Sequence, residues 1–335
     1  MTRQAIPVLG AGSFGTSLAC VLARNGYPVK LWGRNAQRME QIQQTGRNDD
    51  FLPEIELPDG IEALSDLAKA VTGARDILVA VPSHSFRSLL KQLRPHLPQD
   101  PKQSIRLIWA TKGLDGETGK LLDQVVKEEL GDCECAVLSG PTFAAEIAVG
   151  LPTAIVVAAN NEDYANKVIE YFHSSSFRLY RNDDMTGVQI GGSVKNVLAI
   201  ATGICDGLNY GANARTALIT RGLAEMTRLG MALGAHRDTF DGLAGIGDLM
   251  LTCTDNQSRN RRFGLALGQG VPADIAEAQI GQVVEGAKNA AEVKLIADQL
   301  GVEMPITEQV FQVLHQGADP KDCVAKLLAR SPKVE

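Results

Sequence analysis

Residues 6–24 read as a short strand, a glycine turn and a helix without a break. The apolar run Ile6-Pro7-Val8-Leu9 leads into Gly10-Ala11-Gly12-Ser13-Phe14-Gly15, and a stretch of small and apolar residues follows. A G-x-G-x-x-G order at the junction of a strand and a helix restricts the chain to few architectures. In such a turn Gly10 makes the tight bend, Gly12 lets the backbone approach a pyrophosphate, and Gly15 lets the helix pack closely on the strand. The helix N-terminus then faces the negative charge. Alone, the hexapeptide fits any glycine-rich turn. The second strand candidate YPVKLWG (27–33) turns it into the first βαβ unit of a dinucleotide-binding sheet.

The alternation continues down the first half of the chain. DILVAVP (76–82), IRLIWA (105–110), CAVLSG (135–140) and TAIVVAA (153–159) are strand candidates, with FRLYR (177–181) as a final one. Helix candidates lie between them, near 35–45, 84–94, 118–130, 142–149 and 162–172. Unbroken apolar strands separated by helices indicate a parallel sheet covered on both faces. After Asp183-Asp184 the pattern becomes long and helical, as in MTGVQIGGSVKNVLAIATGICDGL, ARTALITRGLAEMTRLGMALG, AAEVKLIADQLG and PITEQVFQVLHQG. The expected fold is α/β, a Rossmann-like, doubly wound parallel sheet over residues 1–184. An all-α domain over 185–335, carrying the substrate and the catalytic group, is expected to follow.

With 335 residues the chain is long enough for two such domains. Its net charge of −6 argues against nucleic-acid binding. Apolar runs such as ILVAV (77–81) are too short to span a bilayer, so no stable membrane insertion is expected. The N-terminus enters strand-like sequence almost at once, which leaves no room for a secretory signal. Six scattered cysteines without a CxxC pair give no metal site and fit a reduced, cytoplasmic protein.

The end of the second strand bears on the cofactor. An acidic residue there would bind the ribose 2′-hydroxyl of NAD. This chain has Trp32-Gly33-Arg34-Asn35, with Arg38 one turn later. Arginine suits a 2′-phosphate, so NADP is the preferred cofactor and NAD a possible one. The other reading of Arg34 is an exposed side chain at a helix start.

Several residues in the second half have the chemistry of a site. Lys195 lies one helical turn from Gly191 and Gly192, whose missing side chains would leave open space before it. Partial burial would lower its pKa toward the operating pH, as general-base work needs. The competing reading is a lysine that reaches past the helix surface into solvent. Lys112 follows a strand at the carboxyl edge where such sheets bind ligands. LSGPTFA (138–144) is another strand-to-helix turn, with donors around Gly140 and Thr142. Asp248 follows a glycine-rich bend and fits a helix N-cap as well as a site residue. In TDNQSRNRRFG (254–264), a helix start near Ser258 would offer backbone N–H groups, Arg259 a planar fork and Asn260 an amide, together an anion pocket. Arg261 and Arg262 point elsewhere and are expected at the surface or between domains.

Taken together, GAGSFGT, VPSH (81–84), WATKGL (109–114), SGPTFA (139–144), GGSVKN (191–196), GANARTALITRGLAEM (211–226), GIGDLMLTCTDNQSRNRRFG (245–264) and VVEG (283–286) resemble the soluble bacterial NAD(P)-dependent glycerol-3-phosphate dehydrogenase family. The resemblance covers nearly the whole chain in order. It implies reduction of dihydroxyacetone phosphate to sn-glycerol 3-phosphate, which feeds phospholipid synthesis. It implies that Lys195 gives and accepts the proton, and that Lys112, Gly140, Thr142, Asp248, Ser258, Arg259 and Asn260 contact substrate. By the same resemblance Ser13, Phe14, Arg34, Phe51, Lys112, Ala144, Arg259, Val283 and Glu285 line the cofactor site beside Gly10, Gly12 and Gly15. Some relatives carry histidine in place of Arg34 and another aromatic in place of Phe14. A homodimer is expected, with no interface legible in the residues. The rivals are an NADP-linked dehydrogenase for a β-hydroxy acid or ketopantoate, which would seek a carboxylate, and a non-catalytic NADP-binding regulator.

Overall fold

The computed structural model describes residues 3–98 and 105–330. The described residues form eight strands: β1 (Ile6–Leu9), β2 (Val29–Trp32), β3 (Ile61–Leu64), β4 (Asp76–Val79), β5 (Arg106–Trp109), β6 (Glu134–Ser139), β7 (Thr153–Ala159) and β8 (Phe177–Asn182). They form one sheet in the order β3-β2-β1-β4-β5-β6-β7-β8. Side chains alternate between its faces. Val8, Leu31, Leu78 and Ile108 belong to one apolar cluster, and Leu9, Trp32, Ile77, Val79 and Trp109 to the other. Helices α1 (Ser13–Arg24), α2 (Ala36–Thr45), α3 (Leu67–Val71), α4 (Ser83–Leu93), α5 (Leu122–Leu130), α6 (Ala144–Val149) and α7 (Glu162–Phe172) complete this part.

Two features differ from the sequence expectation. The sheet is parallel from β3 to β6, but β7 pairs antiparallel with β6, Val137 facing Ala158. β8 then runs parallel to β7. A continuous apolar run looks the same in either direction, so TAIVVAA carries no sign of the reversal. Strand β3 is also additional. It pairs with β2, yet only Ala63 of its four residues is buried, and an edge strand of that kind leaves little apolar pattern.

From Met185 onward the described residues are helical: α8 (Met185–Gly207), α9 (Gly211–Ala232), α10 (Arg237–Phe240), α11 (Asp248–Thr254), α12 (Arg259–Gly268), α13 (Ala273–Ile280), α14 (Glu285–Leu300), α15 (Pro305–Gln316) and α16 (Pro320–Leu328). Helix α8 is long and apolar enough to cross a membrane by composition alone, but its most apolar window is wholly buried in the protein. A helix apolar all round is a core helix. Its neighbours include α9, α11, α12 and α14. Against α12 the two backbones are in contact. A Cβ added at Gly203 would lie 2.2 Å from the Arg261 carbonyl, and one at Gly264 would lie 2.2 Å from the Ile200 carbonyl. This glycine seam fixes where α12 begins relative to Lys195 on α8.

Candidate active site

The glycine turn has the form its sequence requires. Gly10 has φ +126°, and a Cβ there would sit 2.6 Å from the Ala80 carbonyl. A Cβ on Gly15 would sit 1.9 Å from the Gly10 carbonyl, so only glycine lets α1 pack onto the turn. Gly12 has open space where a Cβ would be. It is also the N-cap of α1, with no side chain bonded to the first N–H groups. Those donors therefore face the crevice unmet by a cap, as an incoming pyrophosphate needs.

A cavity of about 550 Å³ runs along this turn. Gly10, Gly12, Ser13 and Phe14 form one wall, Arg34 and Phe51 another, and Arg259, Val283 and Glu285 close it from the helical side. Gly15 lies behind the wall. Arg38 is committed to Asp50 at 2.7 Å and lies over the Phe51 ring. Arg34 is exposed and, among the described residues, makes no ion pair.

A second cavity, of about 510 Å³, shares Ser13, Phe14, Phe51, Arg259 and Glu285 with the first, so the two are one crevice. Its walls include Lys112, Thr142, Ala144, Lys195, Ser258, Arg259 and Asn260. Lys195 is 6% exposed and Asp248 not at all. Lys195 Nζ donates to Asp248 Oδ1 and, at 3.0 Å, to Thr252 Oγ1. Lys112 Nζ donates to the other carboxylate oxygen, Oδ2, at 2.7 Å. Burial pulls the Lys195 ammonium down to about 7; the Asp248 charge opposes that shift and the Lys112 charge adds to it. Asp248 is the first residue of α11, after a wide π turn at Leu243–Gly247, and the N-cap is Gly247. The capping reading of Asp248 is therefore set aside.

The reading of Gly191 and Gly192 also needs correction. No open space is left where their side chains would be. A Cβ at Gly191 would lie 2.1 Å from the Ala244 carbonyl, and one at Gly192 would lie 2.9 Å from Ser139 Oγ and 3.4 Å from Lys112 Cγ. The glycines admit the π turn and the Lys112 stem to α8, which brings Asp248 and Lys112 to the lysine. Gly140 is likewise behind the wall. Its carbonyl accepts from Lys112 Nζ at 3.3 Å and from Thr142 Oγ1 at 3.0 Å.

The arginine-rich stretch divides as a helix start dictates. Ser258 caps α12 by accepting from the Arg261 N–H at 3.2 Å. Arg259, the first helical residue, is half-buried in the crevice wall with no ion pair among the described residues. Arg261 sits neither at the surface nor between the two halves of the chain, the two places expected of it. It is 7% exposed, and its guanidinium bonds Asp206, Asn256 and the Cys253 carbonyl. It braces the loop from below. Arg262 is exposed and edges the crevice.

Two wall residues escaped the sequence reading. Thr252 holds Lys195 from one turn beyond Asp248. Gln282 accepts from Ser13 Oγ at 3.3 Å and from Arg259 Nη1 at 3.2 Å, which joins the glycine turn to α12 across the crevice. Thr252 lies four residues, one helical turn, after Asp248, and that spacing was a usable signal; an isolated glutamine offers none.

Comparison with known proteins gives the family. The family model for the N-terminus of NAD-dependent glycerol-3-phosphate dehydrogenase matches residues 5–165, and that for the C-terminus matches 184–325. The glycerol-3-phosphate dehydrogenase [NAD(P)+] of Erwinia tasmaniensis is 56% identical over 99% of this chain and 97% of its own. The Vibrio cholerae enzyme of the same name is 57% identical over 98% and 95%. A crystal structure of glycerol-3-phosphate dehydrogenase from Coxiella burnetii superposes with a TM-score of 0.95 at 48% identity, covering 98% of this chain and all of the other. By sequence and by fold over nearly its whole length, the chain belongs to the NAD-dependent glycerol-3-phosphate dehydrogenase family.

Proposed function

We propose that the protein interconverts dihydroxyacetone phosphate and sn-glycerol 3-phosphate with NADPH or NADH, and so supplies glycerol 3-phosphate for phospholipid synthesis. The observation that carries this reading is one buried carboxylate, Asp248, holding Lys195 and Lys112 in a crevice shared with the glycine turn and Arg259. The crevice fits a dinucleotide: uncapped N–H groups at α1, free space at Gly12, and at the far end Arg34, with no ion pair among the described residues. A nicotinamide bound there supplies the hydride to the ketone carbon.

The residues of this chain do the rest. As the ketone oxygen gains negative charge, the Lys195 ammonium stabilises it and gives it a proton. The resulting amine is the proton acceptor when the alcohol is oxidised. A pKa near 7 makes both forms accessible at neutral pH. Asp248 and Thr252 fix the direction of the Lys195 side chain. Arg259, Asn260 and the N–H groups at the start of α12 take the phosphate, with Ser258 holding that start in place. Lys112 and Thr142 bound the substrate from the sheet side, while Gly140 acts through its carbonyl on Lys112. Ser13, Phe14, Phe51, Ala144, Val283 and Glu285 line the cofactor position. Arg34 favours NADP over NAD. The two working units are residues 1–184 and 185–335, and the enzyme acts as a cytoplasmic homodimer.

The test is an activity matrix of NADPH and NADH against dihydroxyacetone phosphate and ketopantoate. Turnover of dihydroxyacetone phosphate alone, with NADPH favoured, supports the reading. Turnover of ketopantoate instead, or none with either ketone, refutes it.

A further inference from the structure

A chain of buried hydrogen bonds runs behind the crevice and ends on a carboxylate that touches neither cavity. The Gly286 N–H donates to Asn260 Oδ1 at 2.9 Å. Asn260 Nδ2 donates to Asn196 Oδ1 at 3.0 Å, and Asn196 Nδ2 to Asn289 Oδ1 at 3.0 Å. Asn289 Nδ2 donates to Glu292 Oε2 at 2.8 Å. Glu292, on α14 and 4% exposed, also accepts from the Leu114 N–H at 3.1 Å and from Ser83 Oγ at 3.3 Å. Leu114 is two residues from Lys112, and Asn196 is next to Lys195.

The two ends fix the direction of the chain. A backbone N–H can only donate, so Leu114 makes Glu292 Oε2 an acceptor, and Asn289 must offer it the amide nitrogen. Asn289 then presents its oxygen to Asn196, and Asn196 its oxygen to Asn260. At the far end Gly286, also an obligate donor, requires the Asn260 oxygen. Every amide therefore has one orientation. Asn196 and Asn260 both line the crevice, and each amide nitrogen keeps one N–H that the chain does not use. Among the described residues no cation is paired with Glu292, and burial raises its pKa. A buried carboxyl without a counter-ion is costly, and neutral donors alone hold it here. The turn it grips is tight. Gly113 has φ +132°, and a Cβ there would lie 2.6 Å from Ser83 Oγ and 2.8 Å from Asn289 Nδ2.

We propose that Glu292 is a positioning residue for the reaction: through Asn289 it sets the amide orientation of Asn196 and Asn260, and through Leu114 it holds the Lys112 turn of the sheet domain against α14. This rests on the catalytic reading above. The role needs an acceptor oxygen at Oε2, not a charge. Glutamine can keep that oxygen and turn its amide toward Ser83.

The experiment compares Glu292→Gln, Glu292→Leu, Asn289→Ala and the Glu292→Leu/Asn289→Ala double variant of the full chain. It measures kcat and KM for dihydroxyacetone phosphate, the NADPH dissociation constant by fluorescence, and thermal melting. Glu292→Gln is expected within about threefold of wild type. Glu292→Leu and Asn289→Ala should each lose roughly 10- to 100-fold in kcat/KM for the ketone. NADPH binding should stay within about threefold, and the double variant should be no worse than the weaker single one. Wild-type kcat/KM in Glu292→Leu, equal losses in the glutamine and leucine variants, multiplying losses in the double variant, or a parallel loss of NADPH binding would each overturn the proposal. If Glu292→Leu does not fold, Asn289→Ala decides alone, because it cuts the chain and leaves the Leu114 and Ser83 bonds in place. Absence of ketone turnover in the wild-type enzyme would remove the catalytic reading, and this proposal with it. Turnover in wild type with parity in the variants would remove this proposal only.

Discussion

Lys195 and Lys112 bind opposite oxygens of the Asp248 carboxylate, so two ammonium groups share one buried counter-ion. Their mutual repulsion is one reason the Lys195 pKa lies near 7; burial is the larger one. The direction of the pH dependence follows. In the proposed mechanism ketone reduction needs the ammonium, so its kcat should fall as pH rises through about 7. Alcohol oxidation needs the amine and should rise over the same range. Replacing Lys112 by methionine removes the neighbouring positive charge, so both limbs should move to higher pH. Rate profiles in both directions check this; a shift to lower pH contradicts it.

Arg259 is the phosphate clamp of the account, and its guanidinium has no competing carboxylate among the described residues. Arg259→Ala should cost about 1.5–3 kcal/mol of ground-state binding, roughly a 10- to 150-fold rise in KM for dihydroxyacetone phosphate. An unchanged KM would show that the phosphate sits elsewhere.

Legibility in the sequence followed chain distance. The glycine turn, the Ser258 cap and the long α8 were readable because the groups that define them are neighbours in the chain. The family resemblance named candidate site residues, and the structure brings most of them to one crevice, but their geometry was not legible. Gly191 and Gly192 suggested a gap because the segments that fill it, at Ala244 and Lys112, come from far along the chain. Arg261 looked exposed because its partner Asp206 lies on α8. Glu292 and Leu114, separated by 178 positions, share no local pattern at all. The reversed β7 was hidden because burial on both faces erases the mark of strand direction.

In the proposed reading Arg34 separates the two cofactors. It stands at the end of the crevice remote from Lys195, exposed, at the position where a 2′-phosphate is read. Arg34→Ala should raise KM for NADPH about 10-fold, at the low end for a charge-assisted contact, and leave KM for NADH near its starting value. Equal effects on both cofactors would show that Arg34 does not read the phosphate.

Glu225, on α9, caps the start of α15 by accepting from the Ile306 N–H at 2.7 Å and the Thr307 N–H at 3.3 Å. Burial pushes its carboxyl up to about 7, against the pull of those donors. A folded-state pKa above the ordinary value of 4.5 adds stability that is full below 4.5 and is lost as pH rises through 7. Relative to Glu225→Gln, which does not titrate, the wild type should lose on the order of 3 kcal/mol over that window. Melting temperatures of both proteins at pH 5 and pH 8 test it. The difference, variant minus wild type, should increase by a few degrees; a constant or decreasing difference contradicts the assignment.

The most direct measurement is kcat for dihydroxyacetone phosphate reduction by Lys195→Ala at saturating NADPH, with melting and NADPH binding as controls. Loss of the proton donor should lower kcat on the order of 100- to 10,000-fold while the cofactor still binds. A folded variant that binds NADPH and turns over at the wild-type rate would show that the proton comes from another group, and the account of this crevice would be wrong.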